Sequence, residues 1–85
     1  MKLTLSERKE EANRIIEEMN AMAQEKNIVN LFRDERFEEC QARLRELGWL
    51  ALAVNMKRRK SEKGLEMYVR LKLFSLDSKE VKELV

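Results

Sequence analysis

The sequence predicts an α+β domain in which two amphipathic helices pack on one face of an antiparallel β-hairpin, with a short helix at the C-terminus. Three observations carry this reading. Apolar residues recur at three- and four-residue steps through the first half, Gly48 interrupts them, and the period then falls to two. The absence of proline and a charged fraction of 40% suit regular helices with solvated faces. Eighty-five residues are enough for one small domain, 1–85, but a chain this short buries a smaller share of its surface than larger domains do. Association with another chain is therefore expected to add stability.

The first helix is expected over 5–26, where Ala12, Ile15, Ile16, Met19, Met22 and Ala23 form one stripe. Thr4 followed by Glu7 has capping-box spacing, so each side chain can satisfy an exposed backbone donor of the other residue. On the opposite face Glu10 and Arg14 stand four apart, in the favourable orientation for a solvated ion pair. Residues 27–33 contain Ile28, Val29, Leu31 and Phe32 and fit either a short helical turn or a continuation of the first helix. A second amphipathic helix, 34–47, is set by Phe37, Cys40, Leu44 and Leu47, with Gly48 where a left-handed residue closes a helix.

A hairpin follows over 49–75. Leu50, Leu52, Val54 and Met56 alternate on one strand, and Leu65, Met67, Val69, Leu71 and Leu73 on the other. A turn at Ser61, Glu62, Lys63 and Gly64 would set Met56 opposite Val69, Val54 opposite Leu71 and Leu52 opposite Leu73, giving one apolar face to cover the helices. The other face would pair Trp49 with Leu76, Ala51 with Phe74, Asn55 with Arg70 and Lys57 with Tyr68. A last helix over 78–84 is signalled by a second capping box, Asp77 with Glu80, and a hydrophobic staple, Leu76 with Val81.

Charge is distributed unevenly along these elements. Residues 1–48 carry a net −2, residues 49–75 a net +5 and residues 76–85 a net −1. Lys57, Arg58, Arg59, Lys60 and Lys63 fall within seven residues at the hairpin tip and form a local anion-seeking surface. The alternative is a solvated turn whose cations keep sheet edges from pairing wrongly. If the source is eukaryotic, Lys57 to Lys60 also read as a nuclear-localisation patch.

The run from Phe37 through Leu44, Leu47, Gly48 and Trp49 into a basic hairpin resembles the final helix and wing of winged helix-turn-helix proteins, over residues 34–75. That resemblance implies a helix in the major groove. Here the same helix carries Asp34, Glu35, Glu38, Glu39 and Glu46 against Arg36, Arg43 and Arg45, a face that phosphates would repel, so the hairpin and not the helix should lead any contact with nucleic acid.

A second candidate surface is the outward cluster of Trp49, Phe74 and Leu76, with Tyr68 further along the same face. Such a patch is expected either to be covered by the C-terminal helix through Val81 and Leu84 or to serve as an oligomer interface, reinforced by strands adding edge to edge.

Catalysis finds no foothold. The chain has no histidine, one cysteine and two glycines, which excludes the commonest general base, multi-cysteine metal motifs and glycine-rich phosphate loops. Acidic neighbours such as Glu17 and Glu18 point about 100° apart on a helix and do not converge. No catalytic residue, metal or cofactor is assigned. Cys40 reads as a small buried hydrophobe, which fits a reducing cytoplasm. No apolar run approaches the roughly twenty residues needed to span a bilayer. The expected function is that of a non-enzymatic interaction or regulatory protein, a self-associating accessory or inhibitor that occupies a macromolecular partner's surface. It resembles in type, though not in any motif, the small accessory proteins of phages and mobile elements. The alternative is a nucleic-acid-binding module using the basic hairpin tip.

Overall fold

The structure, a computed structural model, describes residues 3–77. Its elements run α1 (Leu5–Glu25), α2 (Ile28–Phe32), α3 (Glu35–Glu46), β1 (Trp49–Ser61) and β2 (Gly64–Ser75). The fold is thus α+β, built from helices and a two-stranded antiparallel hairpin. The expected helix over 78–84 lies outside the described residues.

Each helix begins on a side-chain acceptor. Thr4 and Glu7 form the full capping box on α1, Asn27 accepts from the Asn30 N–H at 3.0 Å, and Asp34 accepts from the Arg36 N–H at 2.8 Å. The segment left open by the sequence is therefore a separate helix. Lys26 turns to an extended backbone (φ −117°, ψ 139°), and Asn27 starts the chain again as the cap of α2. At the end of α3, Gly48 takes φ +88°, and its N–H reaches back to the Arg45 carbonyl at 3.0 Å. A side chain at that φ would crowd its own backbone, which is why glycine serves there.

The core joins all five elements. Ala12, Met19, Met22 and Ala23 from α1, Leu31 from α2, Phe37 and Leu44 from α3, and Ala51, Val69 and Leu71 from the hairpin form one buried cluster. Met19, Leu31 and Leu44 are its largest fully enclosed side chains, each contributing about 1.5–3 kcal/mol of burial. Ion pairs tie the outer faces of α1 and α3 together, Glu18 to Arg36 at 2.8 Å and Glu11 to Arg43 at 3.0 Å. Lys26 pairs with Asp34 across α2 and, with the Arg36 N–H, holds the Asp34 carboxyl below its usual pKa.

The strand register departs from the expected one at a single point. Met56 pairs with Val69, Asn55 with Arg70 and Lys57 with Tyr68, as the alternation predicts. The ladder then skips Val54, and toward the base Ala53 pairs with Leu71, Ala51 with Leu73, Leu50 with Phe74 and Trp49 with Ser75. This β-bulge inverts the lower half of β1, because one extra residue swaps the two faces of a strand. Ala51, 3% exposed, now points into the core in place of Leu50 and Leu52. The physical reason is proximity. α3 lies against β1, close enough for the Gln41 amide to reach the Ala51 carbonyl at 3.4 Å, and alanine permits an approach that leucine would block.

α1 lies along β2. There Asn20 behaves like a neighbouring strand: its side-chain oxygen accepts from the Leu71 N–H at 2.8 Å, and its amide donates to the Leu71 carbonyl at 3.1 Å. A strand edge that would otherwise seek a partner is closed at that residue.

Candidate functional site

Every residue of β1 from Ala53 to Ser61 is exposed. Thirteen residues at about 3.4 Å each give a strand of roughly 44 Å, close to the 49 Å longest extent of the molecule. The distal hairpin is thus an arm extending beyond the helices. Its tip is a two-residue turn, Glu62 and Lys63, closed by the pair Ser61 with Gly64. The Ser61 hydroxyl donates to the Gly64 carbonyl at 3.2 Å and accepts from the Lys63 N–H at 3.3 Å, while Gly64 takes φ +110°.

Strand geometry sorts the basic run. Successive side chains point to opposite faces, so Lys57 and Arg59 lie on one face of the arm and Arg58 and Lys60 on the other. Lys63 sits at the turn. Arg70, opposite Asn55, joins the Lys57 face. Sequence reasoning had not included Arg70 in the site, although its two-residue offset from Tyr68 was a usable signal. The second face also carries Met56 and Leu65, each 61% exposed, opposite Val69 and Lys60.

The Lys57 face is locally ordered. Arg59 stacks over the Tyr68 ring with its guanidinium carbon 4.5 Å from the centroid, and the Tyr68 hydroxyl donates to Glu66 at 3.0 Å. That hydrogen bond, reinforced by desolvation, raises the Tyr68 pKa and keeps the phenol neutral. Between this face and the C-terminal half of α1 lies an open cleft of about 800 Å³, with Lys57, Arg59 and Arg70 on one side and Glu17 and Glu25 on the other.

Among the described residues, every ion pair belongs to the helical body, and none involves a hairpin cation. Body cations such as Arg8, Arg14 and Arg45 are also unpaired, but they are interspersed with an excess of carboxylates, whereas residues 49–75 carry seven cations against two. The five tip cations are therefore brought together on one projecting element.

The four residues expected to form an oligomer interface are separated. Trp49 is half-buried against the core on the Ala51 face, Phe74 pairs with Leu50 on the reverse face, and Tyr68 stands on the arm beside Arg59. Leu76 lies just past β2, its N–H bonded to the Gly48 carbonyl at 3.0 Å. The bulge is the cause, since it removes Trp49 from the Phe74 face. What Phe74 shares with β1 is Leu50, next to Leu52, both half-buried.

Cys40 is half-buried at the core margin, where desolvation raises its pKa and holds the thiol protonated. Among the described residues no group of three or more metal-ligating side chains is present, and no helix is long and apolar enough to cross a membrane. No family model matches the chain, nor does any curated protein or solved structure.

Proposed function

We propose that this chain is a non-enzymatic binding protein of the regulatory or accessory kind, and that the distal hairpin is the element with which it occupies a larger anionic partner. The observation that carries the reading is charge segregation: a projecting arm whose cations have no carboxylate partners, set on a body whose ion pairs are internal. Cations left unpaired on a protruding element cost little in water and are available to an incoming anion. Self-association belongs to the same reading and would use the base of the hairpin, around Leu50, Leu52 and Phe74. Like-charged arms repel, so copies joined at the base keep their arms apart. A cytoplasmic setting accords with a single cysteine, which has no disulfide partner within the chain.

The test is a capture experiment from a lysate of the source organism. Wild-type chain is compared with the Lys57→Ala/Arg58→Ala/Arg59→Ala/Lys60→Ala variant, with and without nuclease. A partner retained by the wild type and lost by the variant supports the arm as the contact element. Equal capture by both would place the contact elsewhere. Nuclease sensitivity separates a protein partner from the second reading, nucleic acid, which is favoured by the presence of cations on both faces of the arm.

A further inference from the structure

The distribution of cations between the two faces narrows the partner, if the arm is the contact element proposed above. A flat acidic protein surface meets one face of a ribbon, and cations on the reverse face gain nothing from it. Lys57, Arg59 and Arg70 on one face and Arg58 and Lys60 on the other suit a partner with anions on both sides of the arm. We propose that the distal hairpin enters the major groove of duplex DNA tip first, with its two faces against the two phosphate walls and the Glu62–Lys63 turn leading toward the base edges, Glu66 opposite Arg59 being held by the Tyr68 hydroxyl.

The dimensions select this groove. A β-ribbon with side chains on both faces is about 10 Å thick, judged from the spacing of stacked sheets. The major groove of B-DNA is about 12 Å wide and admits a two-stranded ribbon, whereas the minor groove, at about 6 Å, does not. The deep major groove of A-form RNA is too narrow. Its depth in DNA, about 8.5 Å, takes up two to three residues per strand. Arg59 and Lys60 then enter with the tip, while Lys57 and Arg58 lie at the rim on opposite sides. Arg70 and the open cleft beside it leave space for the backbone on the Lys57 side, and Glu17 and Glu25 across that cleft repel phosphate and stop the duplex short of the body. Single-stranded nucleic acid fits less well. It needs aromatic faces on which bases stack, and on the exposed arm the one ring, Tyr68, is already covered by Arg59 on one side.

The test is a titration of the full chain with a fluorescein-labelled 20-base-pair duplex, the matching single strand and poly-aspartate, from 50 to 200 mM salt. Four phosphate contacts, by Lys57, Arg58, Arg59 and Lys60, give a slope of log K against log salt of about −3.6, or roughly a 150-fold loss across that range. Methyl green, which occupies the major groove, should compete, and netropsin, which occupies the minor groove, should not. The decisive comparison is between Lys57→Gln/Arg59→Gln and Arg58→Gln/Lys60→Gln, all at exposed positions. Each pair should flatten the slope by about 1.8, since each removes two contacts. Sensitivity to only one pair, displacement by netropsin, or equal affinity for single strand and duplex would each overturn the groove assignment. Binding to poly-aspartate that depends on the arm, with none to the duplex, would overturn this inference while leaving the arm as the contact element. Binding to neither polymer would remove both.

Discussion

Asn20→Leu is the perturbation that most directly tests how the arm is held to the body. The substitution keeps the branched shape of the side chain, with a larger volume, and removes both hydrogen bonds to Leu71, at 2.8 and 3.1 Å. Two such bonds contribute about 1 kcal/mol each, and the partly buried Leu71 amide and carbonyl are left short of partners, so the loss should come to about 2–3 kcal/mol. For a domain of this size that corresponds to a fall in Tm of about 10–20 °C. Urea titration gives the stability change, and hydrogen exchange at the Leu71 amide reports whether the strand edge has opened. Asn20→Asp adds an internal check. Its carboxylate accepts from the Leu71 N–H but faces the Leu71 carbonyl oxygen, and only the protonated acid can donate to it. That raises the folded-state pKa above the ordinary value of about 3.9, so the deficit should shrink as pH falls through the raised value. A loss below about 0.5 kcal/mol with unchanged Leu71 protection would refute the idea that Asn20 closes this edge.

Trp49→Ala should reduce stability by about 2 kcal/mol, in keeping with a half-buried aromatic packed on the core, without changing the mass measured by sedimentation equilibrium. Leu52→Ser/Phe74→Ser should shift that mass toward monomer, and the reverse pattern would return Trp49 to the interface. Asp34→Asn keeps an N-cap acceptor and removes the charge that pairs with Lys26. Because the Asp34 pKa is depressed from 3.8 in the folded state, the stability it supplies is fully present above that value and is lost as pH falls through the depressed one. Urea midpoints of wild type and variant should therefore differ at neutral pH and converge in acid, whereas a pH-independent gap would contradict the assignment.

Local chemistry made the helices legible from sequence. The Thr4 and Glu7 box and the Gly48 stop each depend on residues within one turn, and both are present. The distal register was legible for a similar reason, since a short turn at Glu62 and Lys63 counts the pairs outward from the tip. The bulge at Val54 was not. Alternation reveals a period but not the place where it slips, and the bulky Leu50, Leu52 and Val54 pointed to the wrong core face because hydrophobicity outweighs closeness of fit in such a pattern. Ala51 is inside because a helix crosses near it, a fact set by residues ten positions away. Asn20 was overlooked because a single polar residue beside an apolar stripe looks solvated until a strand edge is placed next to it. The candidate site itself was half visible. The cluster of cations could be counted, but their division between two faces needed the strand assignment and its register.

Val54 separates two parts of β1 that can now vary independently. Below it, the order of residues answers to the helices, and above it the chain is exposed throughout and owes the core nothing beyond Val69. Inserting two residues in each distal strand would lengthen the reach by about 6.6 Å and return every later side chain to its former face. Inserting one would exchange the faces and carry Lys57 and Arg59 to the side now held by Arg58 and Lys60. Relatives of this chain should therefore differ in arm length by even steps per strand, and an odd step should occur only where a second bulge restores the phase.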